Sequence, residues 1–338
     1  MAPSRHIIKL LHGQRGGVAI LFALFLPVLL GFAALAVDLA RLNLTKVELQ
    51  NAADAAALAG VRSLCDPSTV ASDQPYNWSA ATTTARFVAQ CNFANAVRIQ
   101  SATIETGYWN LNNPALGLYH PGTPGAGDVA AIRATTAMSL QFLFAPFLGI
   151  SGSNVHASAI AVLPAAAAGT GLFPLVVSKN FLDSYWNSTT RTPVLQNGVA
   201  PTISIGSTYN NNGSSQLTGT WTSFLNPAND VTTIRGLIAN GNSTELSIGM
   251  NIYIQPGAKA TLYSEVPVGT DKAIFVVDNA ATGLQPIVAI AGFHISGYNQ
   301  GGKLVYGNFI KNVSVGTTNP GTGNGVPYGA YSPPILVQ

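Results

Sequence analysis

The longest run of apolar residues in the chain lies close to its N-terminus. Residues 16–37, GGVAILFALFLPVLLGFAALAV, contain only apolar residues, glycine and one proline, and no other stretch of this length in the chain lacks polar and charged side chains. Because an α-helix rises about 1.5 Å per residue, a helix of this length covers about 30 Å of hydrocarbon. The pattern therefore predicts a single transmembrane helix over residues 16–37.

A cleaved secretory signal is the alternative interpretation of this run. Basic residues precede it, and the small residues Ala34 and Ala36 resemble a cleavage site. However, the run is longer than the roughly 7–15 residues of a signal core, and helix-forming sequence continues beyond the small residues. We therefore favour an uncleaved anchor.

The helical pattern continues past the apolar run as an Ala-rich extension over residues 38–64. Apolar and small residues recur there at intervals of three, four and seven, and Ala52, Ala56 and Gly60 form a ridge with one small residue every fourth position. Such a ridge lets another helix approach closely. We favour packing within its own domain, and assembly between subunits is the alternative.

Asp38 and Arg41 stand at the boundary between the apolar run and this extension. Their spacing of three places them on one face of the helix, where opposite charges attract. The sequence predicts that they pair at the membrane surface, as a motif at the point where the helix leaves the membrane.

Residues 65–168 alternate between helical and strand patterns. They predict a short helix over residues 80–91, a bulged strand over 97–104, and strands around 130–138 and 155–161. The apolar segment 140–150 is too short to span a bilayer. We interpret it as a buried helix or hairpin, with a membrane-surface or partner patch as the alternative.

The rest of the chain has the pattern of a β-rich domain. PAAAAGTG at residues 164–171 has the composition of a linker, and short apolar runs separated by Asn, Gly, Ser and Pro fill residues 169–338. We predict a sandwich-like or barrel-like domain there. The expected fold class is α+β, with a single N-terminal transmembrane helix, a long Ala-rich helix, a mixed α/β segment and this domain.

The charge distribution predicts the orientation of the helix in the membrane. Arg5, Lys9 and Arg15 account for the whole net charge of +3, and residues 38–338 carry 13 basic and 13 acidic side chains. By the positive-inside rule, residues 1–15 form a cytoplasmic flank and the remainder is exported to the periplasm. No basic patch with interleaved aromatic residues occurs in the exported part, so we expect no nucleic-acid partner.

The two cysteines, Cys65 and Cys91, both fall in the exported part. In an oxidising periplasm a disulfide between them would contribute on the order of 3 kcal/mol. We predict that bridge, and two buried thiols in a reducing compartment are the alternative.

Motifs for catalysis or metal binding are sparse in this chain. The five histidines are scattered without metal-ligand spacing, and no GxSxG nucleophile motif occurs. We expect no catalytic residue, metal, cofactor or small-molecule substrate. An anchored hydrolase is the least favoured alternative, since catalytic triads are assembled in space and not in sequence.

The N-terminal segment resembles a known family. RGGVAILFALFLPVLLGFAALAVDLARL, followed by LQNAADAAALAG, is similar to the start of the TadE-like and TadG-like proteins of Tad (tight-adherence) Flp pilus assembly. Residues 129–163 and 273–298 resemble the same group more weakly. The elements that carry the resemblance are Arg15-Gly16, Pro27, Val37-Asp38 with Arg41, Gln50, and residues 53–59.

The resemblance implies a structural component of the pilus apparatus, anchored in the inner membrane and akin to a pseudopilin or minor pilin. Its partners would be the inner membrane and other pilus-assembly proteins, and the family supplies no catalytic residue to transfer. The alternative function is an anchored surface-binding module, an adhesin or glycan reader. Tyr185, Trp186 and Trp221, interpreted as lying in polar loops, are its main support.

Overall fold

The fold is described from a computed structural model of the chain. The predicted cytoplasmic flank, apart from the backbone of Arg15, lies outside the described residues, and side chains are described from residue 18 onward. The described residues are 15–65, 74–125, 127–206, 218–227, 230–255, 260–317 and 326–338.

The chain begins with one continuous helix, α1 (Arg15–Ser63), of 49 residues. It contains both the predicted transmembrane segment and the Ala-rich extension, with Pro27 inside the helix. Its most apolar 18-residue window has a mean hydropathy of 2.7 and is not buried by any other part of the described chain. Among the described residues it is the one helix long and apolar enough to cross a membrane.

A second helix, α2 (Trp78–Cys91), begins where the sequence supplies an N-cap. Asn77 Oδ1 accepts a hydrogen bond from the Ala80 N–H at 2.9 Å, as Asn commonly does at helix N-termini. Every fourth residue on its inner face is a buried alanine, at positions 81, 85 and 89. The predicted helix over residues 80–91 is therefore present and begins two residues earlier.

The predicted bulged strand over residues 97–104 is wrong. The chain instead forms a small hairpin of β1 (Phe93–Ala94) and β2 (Val97–Arg98), followed by a separate long strand, β3 (Ala102–Asn110). The turn residues Asn95 and Ala96 have φ values of +49° and +58°, the left-handed conformation that tight hairpin turns require.

The N-terminal sheet contains five antiparallel strands. A 3-10 turn (Pro114–Leu116) precedes β4 (Leu118–Tyr119), and β5 (Asp128–Gln141) and β6 (Gly152–Leu163) form a long hairpin. Across the sheet the order is the C-terminal strand, β6, β5, β3 and β4. The alternation predicted at 130–138 and 155–161 thus corresponds to the two central strands.

Helices α1 and α2 cover one face of this sheet through small side chains. The shared core contains mostly alanine, including Ala53, Ala57, Ala85, Ala134 and Ala159. Because alanine has no side chain beyond Cβ, the helices lie close to the sheet and to each other. The sequence folds this way because its small residues recur with the helical period.

The second half of the chain forms a β-rich domain. The elements that follow β6 in chain order are β7 (Ala168–Gly169), β8 (Leu175–Ser178), α3 (Lys179–Asp183), β9 (Trp186–Asn187), β10 (Thr192–Pro193), β11 (Ile203–Ile205), β12 (Gly219–Phe224), α4 (Val231–Asn240), β13 (Leu246–Ser247), β14 (Asn251–Ile254), a 3-10 helix (Ala260–Glu265), β15 (Thr270–Val277), β16 (Gly283–Asn299), β17 (Leu304–Ile310), β18 (Val313–Ser314), β19 (Ala330–Tyr331) and β20 (Ile335–Leu336).

The main sheet of this domain contains seven strands, in the order β11-β17-β16-β14-β12-β8-β15. Strand β16 also pairs with β15, so that β16, β14, β12, β8 and β15 close into a ring. All these pairings are antiparallel except that of β8 with β15.

The central strands of this domain are buried on both faces. Alternate residues of β8 divide between two cores: Leu175 and Val177 face one, and Val176 faces the other. The first core contains large aromatic residues such as Trp221 and Phe293. The predicted α+β class with a β-rich, sandwich-like C-terminal domain is confirmed.

The segment interpreted as a linker, residues 164–171, is instead largely buried. Ala166 donates a backbone hydrogen bond to the Ala330 carbonyl at 3.0 Å, and β7 within the segment pairs with β13. Its small side chains allow it to pack between the two halves. The C-terminal strand β20 then pairs with β6. The domain boundary at residue 168 stays a prediction. Strand β20 lies near the C-terminus but belongs to the N-terminal sheet.

Candidate functional site

The most specific polar contacts near the predicted membrane are made by Asp38, at the end of the apolar segment of α1. The carboxylate of Asp38 is 3% exposed and accepts three backbone hydrogen bonds, from the N–H groups of Leu143, Phe144 and Ala145, each at 2.8 Å. These donors belong to the loop that joins β5 to β6. Asp38 therefore fixes the tip of the longest hairpin of the N-terminal sheet onto the helix.

Arg41 adds to this contact from the next turn of the helix. Its Nη1 lies 3.8 Å from Asp38 Oδ1, which is the predicted ion pair, and its guanidinium also donates to the Gln141 carbonyl and to Asn95 Oδ1, both at 3.3 Å. Burial of the Asp38 carboxyl acts to raise its pKa. The three N–H donors and Arg41 outweigh burial, so the pKa of Asp38, the first residue after the apolar segment, lies below its ordinary value.

The loop whose backbone N–H groups bind Asp38 was predicted to be buried, but most of its side chains are exposed. Residues 142–151 connect β5 to β6 and include a 3-10 turn (Ala145–Leu148), so the hairpin alternative describes the backbone correctly. Its side chains, however, face outward: Phe147 is 89% exposed and Leu148 is 70% exposed. Only Ala145 of this turn is buried, against the helix. An apolar run gives the same sequence signal whether protein or solvent surrounds it.

The predicted small-residue ridge faces the interior of the same domain. Ala52 and Ala56 are fully buried, Ala52 in the cluster around Leu140 and Ala56 in the alanine core below α2. A Cβ placed on Gly60 would lie 2.9 Å from the Cβ of Ala85, closer than real side chains approach. The structure thus places the ridge against α2 and the sheet.

The predicted disulfide between Cys65 and Cys91 is not formed, and both residues are free thiols. Helix α2 runs back along α1, because Gly60 approaches Ala85 while the Asn95 N–H, just beyond α2, donates to Glu48 Oε2 at 2.6 Å. Cys65 and Cys91 therefore lie at opposite ends of this helix pair.

The separation of the two thiols follows from the geometry of the helices. Glu48 and Ser63 are about four turns apart on α1, on the order of 20 Å, whereas a disulfide needs Cα atoms within about 7 Å. Burial raises the pKa of the Cys65 thiol to about 12, while Cys91 is exposed.

One contact between the two halves of the protein has no signal in the sequence. Arg191, in the loop between β9 and β10, is 6% exposed and donates to the carbonyls of Asp128 and Gly125, at 2.8 and 3.2 Å. Its guanidinium lies 5.9 Å from the ring centre of Tyr108. A groove of about 430 Å³ adjoins this contact. No spacing signal marks Arg191, since its partners are backbone carbonyls far away in sequence.

The aromatic residues that supported a surface-binding function do not form a surface. Trp221 is fully buried and Trp186 is 4% exposed. Tyr185 packs against the same core. These side chains stabilise the β-rich domain, and the expectation that they lie in polar loops is wrong.

Polar groups with catalytic potential are few in the part of the chain that the structure describes. His294 Nδ1 lies 2.6 Å from Asp271 Oδ1, but the two residues are directly opposite on β16 and β15 and both are substantially exposed. Cross-strand pairs of this kind are ordinary sheet contacts. Within those same residues, no group of three or more His, Cys, Asp or Glu side chains could hold a metal ion.

Comparison with known families gives two matches in the first half of the chain. Residues 16–63 match a family described as Flp pilus-assembly TadE/G-like, and residues 59–161 match one described as Tad-like Flp pilus-assembly. The first match coincides with α1, and the second extends from the last turn of α1 to the end of β6. No curated protein and no solved structure matches the chain.

Together the two matches span residues 16–161, fewer than half of the 338 residues. With the apolar segment of α1, they support a membrane-anchored role in pilus assembly. The resemblance first seen in the N-terminal sequence is therefore confirmed: residues 16–63 match the TadE/G-like family, and residues 59–161 match the Tad-like family, both described as Flp pilus-assembly families.

Proposed function

We propose that this protein is a structural component of a Tad-type Flp pilus-assembly apparatus, akin to a pseudopilin or minor pilin. Residues 16–37 anchor it in the inner membrane, the N-terminus is cytoplasmic, and the folded part faces the periplasm. The observation that carries the proposal is the continuity of α1. One helix joins the apolar segment to the folded domain, and it coincides with the TadE/G-like match.

The proposed role is mechanical and not enzymatic. From Leu49 to Val61 the buried face of α1 is held by close packing, and at Asp38 it is held by three hydrogen bonds. A continuous, closely packed helix has no flexible joint between domain and membrane. A partner that binds the domain would therefore also position the anchor.

The outward face of α1 supports contact with partner proteins. Leu39, Leu44 and Val47 are each more than half exposed, just beyond the apolar segment. Apolar residues at helical spacing on an exposed face are suited to helix-in-groove or helix-to-helix contacts. We propose that this face meets another helix of the pilus apparatus.

A deletion and complementation experiment tests the pilus role. Deleting the gene in its own bacterium should abolish surface filaments counted by electron microscopy, and the wild-type gene should restore them. Val47→Lys should be as abundant as wild type but fail to restore filaments. Lys46→Ala, its exposed neighbour, is the matched control and should restore them. Normal filaments in the deletion strain would contradict the proposal.

A fusion experiment tests the orientation separately. A reporter active only in the periplasm, fused after Gln338, should be active, and one active only in the cytoplasm should be silent. The protein should stay in the membrane fraction through a high-salt wash. Release of a soluble chain that starts after Ala36 would show a cleaved signal instead of an anchor.

A further inference from the structure

We propose that the loop at the tip of the β5–β6 hairpin, residues 142–151, is a second membrane contact. It inserts among the lipid acyl chains in the half of the bilayer next to the folded domain, beside α1. This inference rests on the proposed anchoring of α1. It adds a contact that fixes the tilt and rotation of the domain relative to the membrane.

The composition and exposure of the loop fit a lipid environment. Its sequence, FLFAPFLGIS, contains no charged residue. Leu143, Phe147, Leu148 and Ile150 are between 51% and 89% exposed to the surroundings of the protein. Contiguous exposed apolar surface of this kind is uncommon on water-facing protein and marks a binding or membrane surface.

The loop lies at the level of the apolar part of α1. Phe144, Phe147 and Leu148 line a groove of about 450 Å³ whose other wall is formed by residues between Val28 and Leu35 of the helix. These positions precede Asp38 by 3 to 10 residues, which is about 5–15 Å along the helix axis into the apolar segment. A bilayer that surrounds the apolar segment must therefore also surround the loop.

The backbone of the loop meets the requirement that hydrocarbon imposes on non-helical structure. Lipid offers no hydrogen-bond partner, so backbone N–H groups at membrane depth need partners in the protein. Asp38 accepts from the N–H groups of residues 143, 144 and 145. Those of Phe142, Phe147, Gly149 and Ile150 donate to carbonyls within the loop.

The occupant that these observations favour is lipid. The adjacent apolar surface of α1 is not buried by any other part of the described chain, so the environment that covers the helix is continuous with the environment that reaches the groove. The proposed membrane contact also explains why the Asp38 carboxylate is buried. A carboxylate that satisfies three loop N–H groups lets an irregular turn lie at membrane depth beside the helix.

Spin-label accessibility in nanodiscs tests this placement. The full chain, with Cys65→Ser and Cys91→Ser, is labelled at Phe147→Cys and reconstituted in phosphatidylethanolamine and phosphatidylglycerol. Collision with oxygen, which concentrates in lipid, is compared with collision with a water-soluble nickel chelate. Leu24→Cys on α1 is the lipid reference, and Val199→Cys, 68% exposed in the β-rich domain, is the water reference.

The three labels separate the possible outcomes. We expect Phe147 to resemble Leu24, with high oxygen and low nickel accessibility. Low accessibility to both at Phe147 would show that a protein, such as a second copy of this chain, covers the loop, and would overturn the lipid assignment. Nickel accessibility like that of Val199 would place the loop in water. If Leu24 is also in water, the anchor and the proposed function fail together with the inference.

A second variant tests the role of Asp38. Asp38→Asn, in the Phe147-labelled chain, should shift nickel accessibility at position 147 towards the Val199 value, because an amide cannot accept all three hydrogen bonds. The Leu24 label should not change. An unchanged Phe147 label would show that the carboxylate does not hold the loop at depth.

Discussion

The two halves of this protein have cores of opposite character. In the N-terminal half, α1 and α2 pack on the sheet mainly through alanine. In the C-terminal half, the core is built from large side chains, with Trp221 in contact with the rings of Phe173 and Tyr263 at centroid distances of 5.9 and 5.4 Å. Large side chains bury much apolar area each, whereas alanine buries little and instead permits close approach.

This difference indicates a division of roles. The β-rich domain obtains its stability from aromatic and aliphatic burial and needs no particular contact with the membrane. The N-terminal half uses small residues to hold a long helix in one position against a sheet, and the same helix provides the apolar segment. We infer that the alanine-rich core serves to orient the anchor and the aromatic core serves to stabilise the β-rich domain.

Truncation of the central tryptophan should produce the largest effect. Trp221→Ala leaves a cavity in a fully buried core and should lower the free energy of unfolding by about 3–5 kcal/mol. Hydrogen exchange measured by mass spectrometry should show lost protection in β15 and β16 before β5 and β6. Leu284→Ala, at a half-exposed position of β16, should change stability by about 0.5 kcal/mol or less. Simultaneous loss of protection in both sheets would show that the two cores are one cooperative unit.

Enlarging a residue of the alanine core should have the next largest effect. In Ala56→Leu the larger side chain overpacks the space between α1, α2 and the sheet, at a cost of about 1–3 kcal/mol. Denaturant unfolding in detergent measures this cost, and Lys46→Ala, on the exposed face, should change little. Normal stability of Ala56→Leu together with failed pilus assembly would instead favour the alternative in which the ridge meets another subunit.

The contact between the halves can be broken at Arg191. Arg191→Leu removes the hydrogen bonds that Arg191 donates to the Asp128 and Gly125 carbonyls. The Gly125 carbonyl keeps the Asp128 N–H at 3.3 Å, and the adjoining groove lets water reach the site, so the cost should be on the order of 1–2 kcal/mol. Limited proteolysis should then cut between the halves faster. Arg235→Leu removes only an exposed ion pair with Glu265 and should cost less than about 1 kcal/mol. Unchanged proteolysis in Arg191→Leu would mean that the other contacts between the halves, such as the pairing of β20 with β6, hold them together without Arg191.

Sequence periodicity was sufficient where local pattern determines structure. The extent of α1, the presence of α2, and the strands β5 and β6 follow from repeats of 3.6 or 2 residues, and the Asp38–Arg41 pair follows from helix geometry. Contacts distant in sequence were not predictable. Arg191 binds carbonyls 63 and 66 residues away, and β20 joins a sheet whose other strands lie between residues 102 and 163.

Composition also failed where one residue type suits two environments. Residues 142–150 have the pattern of a buried segment, yet most of their apolar side chains are exposed. The small residues at 164–171 have the composition of a linker and are instead packed. Side-chain type alone does not specify whether lipid, protein or water surrounds a residue. This matters most in the N-terminal half, where the proposed roles of α1 and of the loop 142–151 depend on whether lipid, protein or water surrounds them.

The two cysteines give the smallest expected change in stability and sharpen the comparison at the helix ends. Because no bridge joins them, Cys91→Ser should shift the free energy of unfolding by about 0.5 kcal/mol or less, whereas a native disulfide would contribute about 2–5 kcal/mol.

Iodoacetamide should label exposed Cys91 quickly at pH 8. Cys65 should react slowly, because only the thiolate is nucleophilic and burial raises its pKa to about 12, so its labelling should accelerate as the pH rises towards that value. Non-reducing mass spectrometry of the protein from its own cells distinguishes the cases: two separately alkylated peptides are expected, and a linked Cys65–Cys91 peptide would show that α2 does not run back along α1.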